Sequence, residues 1–509
     1  MPPSAPRRMR PCLWLALALA ACAPPPAEGE SPGRSHGGRG VLMVAVDALR
    51  ADHLGLAGYD RATTPVIDDL ADQGVTFTQT FTASPELIAS HAALLTGCDP
   101  LVARQPLPQD ASFLSLGRRW RIPEPAPSLA AEFLAAGYAT LALSDHPWFA
   151  RSYGFGRGFE RFDDFRGGQV FDDQDFGAGE LGRALVDWIR SLARDQDWFA
   201  YLHINDLERV LPHAEDHWDT YFRPRPELGD VPPVADGTRT FHAVPRRMWS
   251  GGHRTVGEYE ACYDGFLRRL DAKLGRLVGV LERIGRLDET TICLVGTYGI
   301  GFGEAGLYLD TGSLADVDLS VPWILKLPAS SRLPRGLRYH GVASTIDVAP
   351  TLLEMHGIEL PHGTHGRSHL PALGAEVPAP VRDFVYSMGG LHEGFAVHDA
   401  RYSYQSIIPA SRGNADLVAS WYGTPDPERR PRRRFLRDRQ NDPDPGDLGP
   451  SALAPETADR LHAAGEDWFT WMGHARLALH DPPWVEEDLS AEVEAELLER
   501  GLVPPKGSW

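Results

Sequence analysis

Cationic charge is the first thing this chain has little of. Lys and Arg total 50 against 69 Asp and Glu, a net charge of −19 over 509 residues. So acidic a body excludes a nucleic-acid partner held by its phosphate backbone, because that affinity comes from clustered cations. One local basic cluster, Arg429–Arg439 (RRPRRRFLRDR), stands against the trend. It suggests contact with anionic lipid or polysaccharide, or else a solvated loop interleaved with Asp438 and Asp442. Cysteine is also sparse, at five, which excludes a disulfide scaffold, and no cysteine spacing suggests a metal knuckle. Internal repeats of the solenoid type are lacking. No apolar run is long enough to span a bilayer. With 43% hydrophobic and 23% charged residues, the chain has enough apolar material for a large folded core and is not a disordered protein.

The N-terminus carries Arg7, Arg8 and Arg10, then the short apolar run Cys12–Ala21 (CLWLALALAA), then Cys22. Ten residues make a helix about 15 Å long, half the thickness of a bilayer core, so residues 1–21 read as a signal peptide. Leu19-Ala20-Ala21-Cys22 resembles a bacterial lipoprotein box, which implies lipidation at Cys22; a plain secretory peptide is the other reading. Residues 22–40, rich in Pro, Gly and Ser, read as a flexible tether. The expected location is therefore outside the cytoplasm, anchored to a membrane through lipid, in the periplasm or on the surface of a bacterium. Cys98, Cys262 and Cys293 then remain, an odd number, and buried structural thiols are the expected state.

The body reads as α/β. Val41–Val46 (VLMVAV) is a continuous apolar run ending in Asp47, as expected for a central strand that delivers a carboxylate where open α/β sheets place their sites. Helix-to-strand alternation follows, with a helix over Ser128–Ala136 and a strand at Ala139–Leu143. A helical face through Leu181, Leu185, Trp188, Ile189 and Leu192 precedes the strand Trp198–Ile204. A long amphipathic helix over Tyr259–Ile284 precedes the strand Thr291–Gly296. The predicted fold is a large, mostly parallel mixed sheet between helices over residues 41–375, with a smaller C-terminal α+β region over 376–480 and an acidic tail helix within 481–509.

A series of phrases resembles the sulfatase family of the alkaline-phosphatase superfamily. They begin with Val46-Asp47-Ala48-Leu49-Arg50-Ala51-Asp52-His53, Gly58-Tyr59, Thr64-Pro65 and Gly74-Val75-Thr76-Phe77. Ser90-His91-Ala92-Ala93-Leu94-Leu95-Thr96-Gly97, Gly137-Tyr138, Arg157-Gly158-Phe159 and Gly303-Glu304-Ala305-Gly306 follow. Val321-Pro322-Trp323-Ile324, Asp347-Val348-Ala349-Pro350-Thr351-Leu352-Leu353, Gly366-Arg367-Ser368 and Asn441-Asp442-Pro443 complete the set, in the family's order. The resemblance implies hydrolysis of sulfate or phosphate esters by active members. It also implies a metal dication, usually calcium, and a nucleophile matured from Cys or Ser to formylglycine, or an unmodified Ser or Thr.

Matched residue by residue, the resemblance predicts that this chemistry is missing. The nucleophile position, four residues before His91, holds Leu87, which has no heteroatom. Ser90 lies about 4.5 Å farther along the helix axis, beyond the 3–3.5 Å that in-line attack requires, and Ser84 is no better placed. Asp47 is the sole surviving metal ligand, followed by Ala48; the later ligand pair falls on Thr297 and Tyr298. Calcium wants six to eight oxygens, so one carboxylate cannot hold it tightly. The substrate-cation position holds Asp310, and a family His position holds Glu208, or His213 under a looser match. Arg50 and His91 complete the possible pocket. No cofactor is expected on this reading, and the chain is predicted to be a binding or scaffolding protein, its ligand a sulfated or phosphorylated glycan. The alternative is an active ester hydrolase with a rebuilt site, in which Glu86, Glu208, Asp47 and Asp310 converge on calcium or another divalent metal; four acids in one pocket need a cation or raised pKa values. The aromatic residues of His146-Pro147-Trp148-Phe149 stack on a sugar or pack in the core.

Overall fold

The computed structural model describes residues 38–100, 102, 105–106, 120–144, 146, 149–164, 180–209, 222–235, 243–249, 253–389, 393–408, 433–441 and 454–479. The signal peptide, Cys22 and the tether, His213, Trp148, residues 429–432 and the acidic tail helix lie outside the described residues.

Eight strands form the main sheet: β1 (Gly40–Val46), β2 (Gly74–Phe77), β3 (Ala139–Ser144), β4 (Arg161–Asp164), β5 (Trp198–Ile204), β6 (Thr290–Gly296), β7 (Trp323–Lys326) and β8 (Leu337–Tyr339). Their order is β8-β2-β7-β6-β1-β5-β3-β4. Only β7 runs against its neighbours. β1 sits in the middle, paired in parallel with β6 on one side and β5 on the other, so that Val46 stands level with Gly296 and Ile204. That register brings Asp47, Thr297 and the end of β5 to one edge of the sheet.

The apolar residues of β1 alternate between two cores. Val41, Met43 and Ala45 face one layer, and Leu42, Val44 and Val46 face the other. Because helices cover both faces, the strand reads as unbroken hydrophobicity rather than alternation. The long helix α5 (Val256–Arg283) lies on the second face, with Tyr259, Tyr263, Leu267, Leu270, Leu274, Leu277 and Leu281 buried against it. It starts three residues earlier than the apolar spacing predicts. Thr255 accepts from Glu258 N while the Glu258 carboxylate accepts from Thr255 N, a capping box that satisfies two otherwise orphaned donors. The shorter helices α1 (Pro65–Asp72), α2 (Leu87–Thr96), α3 (Leu129–Ala135) and α4 (Glu180–Ser191) precede it, and α6 (Val348–Met355) follows.

The C-terminal region is a four-stranded antiparallel sheet in chain order: β9 (Val385–Met388), β10 (Glu393–His398), β11 (Tyr402–Ile408) and β12 (Arg433–Asp438). Helix α7 (Pro455–Leu479) closes one face through Leu461 and Trp468. For the described part of the basic cluster, residues 433–439, this sheet replaces the expected solvated loop. Residues 433–438 are strand, and the Arg437 guanidinium turns inward to Asp316 Oδ2 at 2.7 Å, which also accepts from Ser403 Oγ at 2.9 Å. Arg439 lies over the Phe81 ring at 4.9 Å and donates to Ser403 Oγ at 2.8 Å. These two cations fasten the C-terminal sheet to the main body rather than meeting lipid or polysaccharide. Phe149 is likewise core, stacked on Phe155 at 4.5 Å between ring centres. Cys98, Cys262 and Cys293 are buried thiols outside any disulfide, as expected.

Candidate functional site

Asp47 leaves β1 at the centre of the sheet and is completely buried. Its Oδ2 lies 2.7 Å from His203 Nε2, and its Oδ1 lies 3.0 Å from His91 Nε2. Thr297, just beyond β6, donates from Oγ1 to Oδ1 at 2.6 Å. Each imidazole is held from behind by a hydroxyl. Tyr201 Oη meets His91 Nδ1 at 2.5 Å, and Ser144 Oγ meets His203 Nδ1 at 2.8 Å. None of Asp47, His91, His203, Thr297 and Tyr201 has measurable exposure, and Ser144 is 1% exposed. Burial alone would raise the Asp47 carboxyl, yet His203 and then His91 hold it well below the usual carboxylate range. Burial, reinforced by neighbouring His203, pushes His91 down to about 4 despite the opposing pull of Asp47, so that imidazole is neutral at physiological pH.

Two further metal-capable side chains stand beside Asp47. Among the described residues, Asp47, His91 and His203 form the single group of three metal-capable side chains, their donor atoms all within 4.8 Å of one another. Glu86 and Asp310 do not join it. His203 escaped notice as a site residue, although its signal is present: it is the one imidazole in the buried run WFAYLHI, one place before the strand's carboxyl end. Ser144, which ends the apolar strand ATLALS, carries the same signal.

The remaining expected site residues take other places. Leu87 is the first residue of α2, half-buried against the apolar layer that contains β1 and α5. Neither nearby serine replaces it as nucleophile, since Ser90 Oγ donates to Leu87 O at 3.0 Å and Ser84 Oγ accepts from Glu86 N at 3.3 Å. Tyr298 is buried in that same apolar layer and not in the centre. Glu208 belongs to the short helix Asp206–Arg209. Arg50, expected at the pocket, instead forms ion pairs with Asp52 at 2.7 Å and with Glu304 at 2.7 Å. That pair accounts for the acid of the Gly303-Glu304-Ala305-Gly306 phrase. Ala48 stands at φ 55, a left-handed conformation that costs an alanine but suits an aspartate or asparagine. The turn after Asp47 thus has a shape that alanine does not favour.

Asp310 is buried, and its Oδ1 accepts from Thr311 N at 3.0 Å. Near it Asp318, also fully buried, accepts from Ser313 N at 2.7 Å through Oδ2, while Oδ1 has no hydrogen-bond partner among the described residues. Its backbone carbonyl accepts from Gly299 N at 2.9 Å, an approach so close that a Cβ on residue 299 would stand 2.0 Å from Val317 O. Burial, aided by the charge of Asp310, pushes the Asp318 carboxyl up to about 7. The sign follows from linkage: a carboxyl that holds its proton to about pH 7 when folded, but to about 4 when unfolded, contributes stability below 4 that is lost as pH rises to 7. Wild type should lose about 1.4 kcal/mol per pH unit relative to Asp318→Asn over that window, and nothing further above it. Denaturant melts of both proteins at pH 4.5, 6, 7 and 8.5 measure this, and parallel profiles would refute it.

The sulfatase family profile matches residues 39–358. The chain belongs to the sulfatase family. It is 23% identical over 397 residues to an arylsulfatase of Clostridium perfringens, an alignment covering 68% of this chain and 80% of that protein. A Δ4,5-hexuronate-2-O-sulfatase of Bacteroides thetaiotaomicron is 23% identical over 374 residues, with 68% and 74% of the two chains covered. Among solved structures, a 2-O GAG sulfatase superposes with a TM-score of 0.62 at 19% identity, covering 86% of this chain and 93% of that one. These likenesses bear out the mixed sheet and the smaller antiparallel C-terminal sheet.

Sulfatases usually work with a divalent metal, commonly calcium. The donor set around Asp47 does not fit calcium, a hard ion that wants six to eight oxygens. One carboxylate and one hydroxyl are the oxygens here, and two imidazole nitrogens supply the rest.

Proposed function

We propose that this sulfatase-family protein has lost ester hydrolysis and acts as an exported, lipid-anchored binding protein for anionic glycans. The observation that carries this reading is the closure of the centre: both Asp47 oxygens are turned to His91, His203 and Thr297, with no exposed surface. The Asp47 carboxylate therefore has no exposed oxygen with which to hold a substrate's metal. Leu87 stands where an attacking atom is needed, and the acid at Asp310 would repel a sulfate group. Export and anchoring rest on the n-region, apolar run and Cys22 of the first 22 residues. Among the described residues no helix is long and apolar enough to cross a membrane. The glycan class is supported by the sugar-sulfate substrates named for the relatives. A second reading, a hydrolase with a rebuilt centre, is favoured by the convergence of two imidazoles on Asp47.

Incubating the purified chain with size-defined sulfated oligosaccharides separates the two. Saturable binding by calorimetry, with the oligosaccharide recovered fully sulfated, is the expected outcome. Steady release of sulfate would overturn the reading, as would an absence of binding across sulfated, phosphorylated and carboxylated glycans.

A further inference from the structure

We propose that Asp47, His91 and His203 hold a transition dication of the zinc class as a closed structural centre, in place of the oxygen-bound calcium typical of the fold. Three features of the geometry carry this. First, both imidazoles present the same atom, Nε2, to the two oxygens of one carboxylate, so three donors converge on one point from three strands or helices. Second, each Nδ1 has a hydroxyl behind it, Tyr201 Oη for His91 and Ser144 Oγ for His203. If Nδ1–H donates to that hydroxyl oxygen, the tautomer is fixed with both Nε2 lone pairs facing Asp47, the arrangement that orients metal-binding histidines. Third, the set mixes two imidazoles with one carboxylate, which suits zinc, cobalt or nickel and not calcium. Thr297 Oγ1 lies beside the same carboxylate, 2.6 Å from Asp47 Oδ1.

A proton can fill the same space, with each Nε2–H donating to Asp47. The two states differ in spacing. Zinc bonds of about 2.0–2.2 Å in a tetrahedron put donor atoms roughly 3.3 Å apart, so the 2.7 and 3.0 Å contacts would open by a few tenths of an ångström. Complete burial makes the centre a closed one, and closed centres stabilise a fold rather than present an open coordination position to substrate. The inference is separate from the proposed loss of hydrolysis, because metal content and turnover are read independently.

The test takes the full-length protein stripped with chelator, then dialysed against zinc, cobalt or calcium, and reads metal by elemental analysis and melting temperature by calorimetry. The expected result is about one zinc or cobalt per chain, retained against excess calcium, with a higher melting temperature for the zinc form and none for calcium. His203→Gln should abolish retention. Tyr201→Phe and Ser144→Ala, which keep the three donors, should weaken zinc affinity about 10- to 100-fold. Folded wild-type protein that retains only trace zinc and shows no zinc-dependent melting shift would overturn the proposal. So would equal zinc retention by folded wild type and His203→Gln, which would place the ion on surface side chains, or a preference for calcium.

Discussion

Leu87→Cys is expected to leave sulfatase activity at background, even when the protein is co-expressed with the machinery that matures cysteine to formylglycine. On the proposed reading, restoring the nucleophile position supplies one atom of a constellation whose other members are missing too. Ala48, Thr297 and Tyr298 stand where metal ligands are implied, and Asp310 stands where a cation should meet the sulfate. Tyr298 is packed among apolar side chains, and Thr297 is committed to Asp47. Electrostatic stabilisation of the developing charge is usually the largest contribution to such a reaction, and groups acting as a unit are far from additive, so one of them alone recovers almost nothing. An aryl-sulfate assay comparing wild type with mass-verified Leu87→Cys measures this. A rise of more than about tenfold, roughly 1.4 kcal/mol of transition-state stabilisation, would show that the remaining groups still form a working centre.

Asp47→Ala is expected to be among the most damaging single substitutions in the chain. Removing the carboxylate leaves two imidazole Nε2 atoms and the Thr297 hydroxyl facing a void in a fully buried place. Each buried donor left without an acceptor costs about 1–3 kcal/mol, and breaking a buried charged network costs about 3–5 kcal/mol. A loss of about 3–5 kcal/mol is therefore predicted, read as a lower urea midpoint at unchanged slope. The neighbouring Ala48→Gly should move the other way by a fraction of that, because glycine accepts φ 55 without strain. A loss below about 1 kcal/mol for Asp47→Ala would mean that water reaches the centre and satisfies what is left.

Much of the fold was legible because burial on both faces of a parallel sheet writes itself into the sequence as unbroken apolar runs. VLMVAV and WFAYLHI are such runs, and both are strands of the sheet. The amphipathic spacing of Tyr259, Tyr263, Leu270 and Leu277 gave α5 its extent to within three residues at the start. The candidate centre was half legible. Asp47 and His91 lie in phrases that resemble the family, whereas the bond from His203 to Asp47 crosses 156 residues and depends on β5 lying beside β1 in register. Nothing local in the sequence encodes that pairing. The same limit applied to Arg437, whose partner Asp316 is 121 residues away. A run of arginines invites a surface reading, and only the three-dimensional arrangement turns two of them inward.

The central claim is that a sulfatase fold here encloses a sealed Asp–His–His centre and performs no ester hydrolysis. The most direct measurement is a single-turnover assay, with protein in excess over aryl sulfate, aryl phosphate and sulfated disaccharide, in chelator and with calcium or zinc. The account predicts no released sulfate, phosphate or phenol above buffer under any of these conditions. Release of one equivalent of product by wild type, absent from folded Asp47→Asn, would contradict it.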